Sequence, residues 1–304
     1  MTLEQLRIFV AVAEREHVTK AAGDLNLTQS AVSAAVSALE NRYATKLFDR
    51  VGRRIELTEA GRTFLSEARA VLARARAAET VLADLAGLKR GSLTLAASQT
   101  VANYWLPALM HRYRGIYPGI ELRLIIGNTE AVASMVHDGL ADLGFVEGAI
   151  DDPVLAIKPV GDDELVLVVA PGYWQEKKAA VSSAELKALA WVVREQGSGT
   201  RAIFEAAMTD LGLRLADLNI VLEMPSNEAV RTAVEDGAGA AILSKLVVGS
   251  SLKSGALVAL DLALPKRQFL ALRHKERYLT KAEQELYRLV DEASGFPSGT
   301  QKSR

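Results

Sequence analysis

The 304-residue chain contains no cysteine, and this absence excludes several kinds of chemistry at once. Disulfide bonds, metal sites built on thiolates and catalysis by a thiol all need that side chain. Histidine is scarce as well: His17, His111, His137 and His274 lie far apart in the sequence, without the short spacing that pairs two metal ligands. We therefore expect neither a metal site nor a cofactor.

Long apolar runs are also missing. The first ten residues carry Glu4 and Arg7 inside their apolar pattern, unlike the uninterrupted apolar core of a signal peptide. No stretch approaches the roughly 20 apolar residues of a membrane-spanning helix. The expectation is a cytoplasmic protein that does not enter the membrane.

Net charge is close to zero but unevenly distributed. Residues 1–90 hold 14 Lys and Arg against 11 Asp and Glu, a net charge of +3, and the rest of the chain has a net charge of −4. A basic bias confined to one region is a weak indication that this region has a polyanionic partner.

The longest regular pattern runs from Thr58 to Leu88 and predicts one helix of roughly 45 Å. Thr58 is suited to cap its start. Small and apolar residues recur at alternating steps of four and three, the heptad pattern of a helix that pairs with another helix. The predicted dimerisation seam consists of Phe64, Ala68, Val71, Ala75, Ala78, Leu82 and Leu85. A single amphipathic helix packed on its own domain is the alternative.

Three shorter helices are predicted before this one. The first has an apolar face over residues 3–13, the second covers about residues 18–25, and a tight turn leads to a third, which Thr28 caps. The third helix has an apolar face and, opposite it, a nearly uncharged face of short hydroxyl and amide side chains. This arrangement is typical of a helix-turn-helix motif, whose last helix enters the major groove of DNA. The residues of this part that we expect to contact DNA are Lys20, Thr28, Gln29, Ser30, Ser33 and Ser37.

A basic hairpin is predicted next, over residues 47–57. Ile55 and Leu57 alternate as in a strand, Gly52 permits the turn, and Arg50, Arg53 and Arg54 cluster at the tip. Beside a recognition helix, such a hairpin is a wing that reaches phosphates or a minor groove. Alone, it would be interpreted as a solvated basic loop.

These motifs resemble those of the LysR-type transcriptional regulators. The resemblance rests on LEQLRIFVAVAE, TKAAGDLNLTQSAVSAAVSALE, LFDR and LTEAG, and it continues along nearly the whole chain. Ser30 is a departure, because many members have proline there; both residues are tolerated near a helix start. The resemblance implies an all-α winged helix-turn-helix domain over residues 1–58 and a linker helix over 59–90. It also implies a dimer of dimers on double-stranded DNA, with RNA polymerase as a further partner.

After Gly91 the pattern changes to alternating short strands and helices, which predicts a parallel sheet with crossover helices. Residues 128–146 and 226–244 match in register at an offset of 98, so two similar α/β lobes with a cleft between them are expected. The resemblance likewise implies an α/β effector region of two Rossmann-like lobes, similar to periplasmic binding proteins. Lobe I would comprise residues 91–161 and 267–304, and lobe II residues 162–266.

The candidate effector site lies where helices begin after strands. Four such helix starts can offer backbone N–H groups and hydroxyls to one anion, although each alone is more simply an ordinary helix cap. Glycine at 197 and 199 would let the backbone approach a ligand closely. The predicted effector-binding residues are Ser98, Gln99, Thr100, Asn128, Glu147, Gly197, Ser198, Gly199, Thr200 and Asn227.

Glu147 conflicts with an anionic effector, because it sits at the end of a strand at the same site and its carboxylate would repel an anion. Three interpretations are open. The ligand carries a proton or an ammonium group, Arg201 or another cation neutralises the carboxylate, or Glu147 points away.

Within the family, the runs NYWLP, GNTEAV, VEG and REQGSGTR resemble regulators of sulfur-oxyanion metabolism, and related runs occur in regulators of carbon dioxide fixation. We therefore predict a small anionic effector, a sulfur oxyanion such as sulfite, with a phosphorylated or carboxylate metabolite as the alternative. An α/β enzyme and a ligand-binding protein that does not contact DNA are the remaining alternatives. Because no nucleophile–base–acid set and no dinucleotide fingerprint is visible, we do not expect an enzyme.

Overall fold

A computed structural model describes residues 1–51, 54–85, 91–174 and 181–294 of the chain. The predicted wing residues Gly52 and Arg53 and the predicted last residues of the long helix, 86–88, lie outside the described residues. The chain divides near residue 87 into two compact units.

The first unit consists of four helices and a hairpin: α1 (Leu3–Arg15), α2 (Val18–Asp24), α3 (Gln29–Tyr43), β1 (Phe48–Val51), β2 (Arg54–Leu57) and α4 (Glu59–Leu85). Thr2 and Gln5 form a reciprocal capping box at the start of α1. Phe9 lies at the centre of the core, with its ring 5.4 Å from that of Phe48 and 4.8 Å from that of Phe64. The predicted helices and hairpin therefore form a core of their own.

Two polar side chains join the hairpin to the helices beside it. Glu40, buried on α3, accepts hydrogen bonds from the backbone N–H groups of Leu47 (2.8 Å) and Phe48 (3.2 Å). Thr58 caps α4, as predicted, by accepting from the backbone N–H of Gly61 at 2.9 Å, and its hydroxyl donates to the carbonyl of Lys46. A Cβ atom at Gly61 would lie 2.1 Å from the carbonyl oxygen of Leu47, so only glycine fits in this first turn.

The second unit contains two sheets. The first has the strand order β4-β3-β5-β12-β6, and we call it lobe I with its flanking helices. Its elements are β3 (Gly91–Ser98), a π-helical turn (Val101–Trp105), α5 (Leu106–Ile116), β4 (Ile120–Gly127), α6 (Thr129–Asp138), β5 (Leu143–Glu147), β6 (Leu155–Asp163), β12 (Arg267–His274) and α11 (Lys281–Ser294).

The second sheet belongs to lobe II. Its elements are β7 (Leu165–Val169), α7 (Ser183–Ala188), β8 (Ala190–Arg194), α8 (Gly199–Asp210), a 3₁₀ turn (Leu215–Asp217), β9 (Asn219–Met224), α9 (Asn227–Glu235), β10 (Ala241–Ser244), α10 (Lys245–Ser254) and β11 (Val258–Leu260). The pair β8-β9 joins the three strands β10-β7-β11 through a parallel bridge between Trp191 and Ala240. The two lobes thus share one strand order.

The expectation of a parallel sheet was correct for only part of each lobe. β3 pairs in parallel with β4 and β5, whereas β12 is antiparallel to β5 and β6, and β7 is antiparallel to β10 and β11. The two strands that run antiparallel to their neighbours are β7 and β12. Each follows a strand of the other lobe without an intervening helix, and a parallel pair would need such a crossover connection. β6 continues to Asp163, two residues beyond the predicted boundary at 161.

The internal similarity corresponds to equivalent elements. α6 and β5 of lobe I begin 98 residues before α9 and β10 of lobe II. The turn that follows each helix contains a glycine with positive φ, +79° at Gly139 and +86° at Gly237. A side chain is disfavoured in that conformation, which explains the repeated Asp-Gly pair.

Candidate DNA-binding surface and effector cleft

The predicted recognition helix is α3, and its polar face is open. Gln29, Ser30 and Ser37 are exposed and Ser33 is partly exposed, while Val32 on the opposite face is fully buried. Thr28 accepts from the backbone N–H of Ala31 at 3.2 Å and so caps the helix. These positions are available for base and phosphate contacts of the kind predicted.

Basic side chains flank this helix. Lys20 on α2 and Arg50 and Arg54 on the hairpin are all exposed. The register pairs Arg50 with Ile55 and Val51 with Arg54, so the two arginines lie on adjacent strands near the turn. The arrangement is that of a wing with cations at its end.

The linker helix divides the predicted seam into two parts. Ala68 is only 1% exposed and, with Phe64, packs in the core against α1, so this end of the seam is occupied within its own unit, contrary to the prediction for a partner helix. Val71 is 42% exposed, Leu82 is 68% exposed, Ala78 is exposed and Ala75 partly so. The side chain of Leu85 lies outside the part that the structure describes. The seam available to a second helix therefore begins at Val71.

In the second unit, the predicted effector site surrounds a carboxylate of the chain itself. Glu147, 2% exposed at the end of β5, accepts hydrogen bonds from the hydroxyls of Ser98 and, at 3.2 Å, of Thr100. Asn227 of lobe II donates to the Thr100 hydroxyl at 3.0 Å. Of the three interpretations of Glu147, the one in which it points away is therefore wrong.

The cation beside Glu147 is Arg267 at the start of β12, not Arg201. Its Nη1 lies 3.8 Å from Glu147 Oε1 and donates to the Thr200 hydroxyl at 3.1 Å. Its Nε donates to Asp163 at 2.5 Å, and Ser244 also donates to that carboxylate. Nη2 lies 2.5 Å from an oxygen of Asp163 and is ion-paired with it, although its N–H direction is not that of a hydrogen bond.

Arg201 instead forms a separate set of contacts within lobe II. Its guanidinium donates to Glu205 at 2.5 Å and to the backbone carbonyl of Arg194 at 3.1 Å. It also lies 3.4 Å from a carboxylate oxygen of Glu223. Its charge is therefore already balanced by two carboxylates of lobe II.

Two seams join the lobes around this centre. In the first, which we call the α8 seam, residues 128–130 contact residues 195–199. The Thr129 hydroxyl donates to the carbonyl of Glu147 (2.8 Å) and accepts from the N–H of Gly199 (3.1 Å). A Cβ atom at Gly199 would lie 2.1 Å from that same carbonyl oxygen. Gly199 therefore permits close contact between the lobes, and its predicted contact with the effector stays a prediction.

Other predicted residues also belong to the α8 seam. Asn128 caps α6 by accepting from the N–H of Ala131 at 2.9 Å, and its amide donates to the carbonyl of Gln196 at 3.2 Å. The carbonyl of Gly197 accepts from the N–H of Glu130. Ser198 precedes α8 and is buried, but its side chain makes no capping hydrogen bond.

The second, or α9, seam joins residues 99–104 to residues 225–228 through side chains. Gln99 donates to the carbonyl of Pro225 at 3.0 Å and accepts from the N–H of Asn227 at 2.9 Å. The Tyr104 hydroxyl donates to Glu228 at 3.2 Å. Burial, and then the charge of Glu228, raise the pKa of Tyr104.

Arg194 and Glu195 extend the network on the lobe II side. Arg194, 3% exposed, donates to Glu195 through two nitrogens (2.7 and 2.8 Å) and to the Asn227 side-chain oxygen (2.5 Å). Burial opposes ionisation of Glu195, but the hydrogen bonds and charge of Arg194 outweigh it and lower its pKa. Glu195 thus holds the Arg194 guanidinium in place beside the cleft.

The structure brings five predicted residues together at the centre: Ser98, Thr100, Glu147, Thr200 and Asn227. The sequence analysis missed Arg194, Arg267 and Asp163. The available signal was a charged residue at the end of an otherwise apolar strand, as in AWVVR for Arg194.

Among the described residues, no group of three or more His, Asp or Glu side chains is arranged to hold a metal ion. In the same part of the chain, no helix is long and apolar enough to cross a membrane.

Comparison with known proteins gives two family matches that together cover nearly the whole chain. Residues 3–62 match the model for "Bacterial regulatory helix-turn-helix protein, lysR family", and residues 86–295 match "LysR substrate binding domain". The second match alone covers more than half of the chain.

Individual relatives agree with this assignment. The chain is 34% identical over 284 residues to the HTH-type transcriptional regulator YeiE of Escherichia coli K12, covering 93% of this chain and 94% of that protein. It is 35% identical over 280 residues to the RuBisCO operon transcriptional regulator of Allochromatium vinosum, covering 91% of each. Among solved structures, the regulatory domain of CcmR from Synechocystis PCC6803, in complex with 2-PG, matches with a TM-score of 0.62 and 26% identity, covering 67% of this chain and 98% of that domain.

An exposed recognition helix with a basic hairpin, and two similar lobes that enclose a polar cleft, agree with both matches. These findings support a DNA-binding regulator with an effector domain rather than an enzyme. The chain belongs to the LysR family of transcriptional regulators.

Proposed function

We propose that the cleft binds a small oxyanion, specifically a sulfur oxyanion such as sulfite, and that this binding changes how the protein holds its operator DNA. The observation that carries the proposal is the buried guanidinium of Arg267, whose Nη1 donates to the Thr200 hydroxyl and lies 3.8 Å from Glu147 at the centre of the cleft. Beside it, two hydroxyls of lobe I already donate to the Glu147 carboxylate, and the Thr200 hydroxyl of lobe II accepts from Arg267; hydroxyl donors of this kind are what an oxyanion needs.

Glu147 favours an anion that carries a proton. Two negative charges in one buried site repel each other, and the cost is large because the surroundings screen it poorly. An oxyanion with a hydroxyl group, such as bisulfite, avoids part of this cost by donating a hydrogen bond to Glu147. Sulfate carries no proton near neutral pH and meets the full repulsion. This difference supports sulfite over sulfate.

A phosphorylated metabolite is the second candidate, and the similarity to the CcmR regulatory domain in complex with 2-PG favours it. A phosphate monoester also carries an exchangeable proton near neutral pH, so it satisfies the same requirement at Glu147. The two candidates differ in size and in the organic group that the cleft must accommodate.

The ligand acts on DNA only if it binds the two arrangements of the protein with different affinity. We expect the oxyanion to favour the arrangement in which the lobes are joined at the α8 and α9 seams, because its donors come from both lobes. In the proposed assembly, a dimer of dimers, this movement changes the spacing of the DNA-binding units and the bend of the DNA.

The test is a binding titration at fixed salt on the DNA upstream of the protein's own gene, with sulfite, sulfate or 2-PG added. We expect specific binding that sulfite alters more than sulfate does. A response to 2-PG alone would replace the proposed ligand, and specific binding unaffected by any of the three would remove it.

The DNA contacts are tested separately with two variants. Gln29→Ala should relax the sequence preference, because it removes a contact to a base edge. Arg50→Glu with Arg54→Glu should weaken binding to every DNA sequence and reduce its salt dependence. Equal affinity of this double variant and the unmodified protein for DNA would exclude the hairpin as a wing.

A further inference from the structure

The buried polar groups of the cleft form a hydrogen-bond chain with one direction. It begins at Arg194, whose guanidinium has donors and no acceptor. Arg194 Nη1 lies 2.5 Å from Asn227 Oδ1, and two other nitrogens bind Glu195. Arg194 is therefore held in place by a carboxylate and presents a donor to Asn227.

This donor determines how the Asn227 amide is oriented. Because Arg194 cannot accept a hydrogen bond, the carbonyl oxygen of the amide faces it and the NH₂ group faces away. The NH₂ group lies 3.0 Å from the Thr100 hydroxyl, to which it donates. Asn227 is 1% exposed, so water does not compete for either end of the amide.

The orientation of Asn227 in turn determines the role of Thr100. A hydroxyl has one proton, and the Thr100 oxygen already accepts from Asn227. Its proton is left to point at Glu147 Oε1, 3.2 Å away. Two consecutive hydrogen bonds thus transmit the donor-only character of Arg194 to a hydroxyl that faces the centre of the cleft.

We propose that Arg194 is a positioning residue of the effector cleft, which acts through Asn227 to hold the Thr100 hydroxyl as a hydrogen-bond donor toward the centre of the cleft, where a bound anion accepts its proton in place of Glu147. This inference rests on the proposed function, since it concerns the same cleft. Arg267 has the same effect on Thr200 by one direct bond of 3.1 Å. Both threonines therefore present protons to the ligand, and the cleft selects oxygen atoms that accept them.

The decisive variant is Asn227→Asp. The aspartate still accepts from Arg194, and the new charge pair should leave the thermal stability unchanged or raised. It has no NH₂ group, so the Thr100 proton turns to the aspartate. The ligand then loses a donor and meets an additional negative charge. We expect the affinity for sulfite to fall by at least about tenfold.

Two changes at Arg194 complete the set. Arg194→Lys keeps a side chain that can only donate, and it should retain the affinity for sulfite within about threefold. Arg194→Met leaves the Asn227 amide free to turn, and it should lower that affinity about tenfold.

Arg231→Met is the matched control. It removes an arginine on α9 that contacts Glu235 and the carbonyl of Val247, not Asn227. We expect this control to bind sulfite as the unmodified protein does.

Calorimetric titration of the full-length protein with sulfite, and with inorganic phosphate as a second probe, measures these affinities, and thermal melting measures stability. Loss of affinity in Asn227→Asp without loss of stability supports the inference, and it does so even if Arg194→Met fails to fold. Undiminished sulfite affinity in Asn227→Asp overturns the inference and leaves the proposed function intact. Failure of the unmodified protein to bind either probe overturns both.

Discussion

Arg267 neutralises two carboxylates that the fold buries together. Asp163 accepts from its Nε, and Glu147 lies within 3.8 Å of its Nη1. All three side chains are almost completely removed from solvent. A buried charge that loses its partner is far more costly than a pair that is absent altogether.

Arg267→Met should therefore lower the free energy of unfolding by about 3–5 kcal/mol, because two carboxylates lose their cation. Urea denaturation at neutral pH measures the change. Adding Asp163→Asn to this variant should recover part of the loss, since one of the stranded charges is removed. A loss below about 1 kcal/mol would show that the carboxylates do not depend on Arg267.

Whether a residue of the cleft could be predicted depends on how far along the sequence its partners lie. Ser98, Thr100 and Thr200 were predictable because each lies where a strand ends or the helix after it begins, a pattern visible within ten residues. Arg267 and Asp163 are 104 residues apart in sequence and meet only because β6 and β12 pair. No local pattern connects them, so the sequence left the cation near Glu147 undecided.

At the scale of elements, the position of the hairpin relative to α3 depends on one side chain. Glu40 on α3 accepts from two backbone N–H groups that precede and begin β1. The N–H of Leu47 is buried with it. Without Glu40 the hairpin loses a fixed orientation beside the recognition helix.

Glu40→Ala should thus lower the stability of the first unit by about 1–3 kcal/mol, because the N–H groups lose their acceptor. It should also weaken binding to all DNA sequences, since the basic residues of the hairpin lose their position. Glu40→Gln is the control, because it keeps an acceptor oxygen and should retain most of the stability. Thermal melting and DNA titration measure the two effects. Equal DNA affinity of the alanine variant and the unmodified protein would contradict the role of Glu40 in orienting the hairpin.

The start of α11 contains a carboxyl group that is costly to ionise. Burial raises the pKa of Glu283 from 4.5 to about 7, and the nearby charge of Asp142 adds to the shift. Glu283 also accepts from the N–H of Thr280 at 2.7 Å and so completes a capping box. Burial and capping therefore act on one side chain.

Stability should fall as pH rises from about 4.5 to about 7, because in this window the folded state keeps a proton that the unfolded state has lost. The full effect is on the order of 3 kcal/mol. Glu283→Gln keeps the capping bond and never ionises, so it should remove this slope and be more stable than the unmodified protein at pH 8. Urea denaturation across this pH range is the measurement, and parallel profiles for the two proteins would refute the assignment.

At the scale of the whole molecule, the heptad pattern predicted a paired helix but could not separate its two uses. Phe64 and Ala68 continue the pattern, yet they pack on α1 of their own unit. Burial in a core and burial in a dimer select the same residue types at the same spacing, so periodicity alone does not distinguish them. Only from Val71 onward is the apolar stripe exposed and available to a second copy.

Val71→Glu combined with Leu82→Glu should consequently disrupt assembly, because two like charges would face each other across each pair of linker helices. Light scattering after size-exclusion chromatography should show a smaller particle. Operator affinity should drop by more than tenfold, since DNA-binding units that are no longer joined lose the gain from simultaneous binding. Arg76→Glu introduces the same side chain outside the seam on an exposed position and should change neither property. If the double variant keeps the mass and operator affinity of the unmodified protein, the exposed stripe on α4 is not a dimer interface, and the two DNA-binding units must be joined through the effector lobes alone.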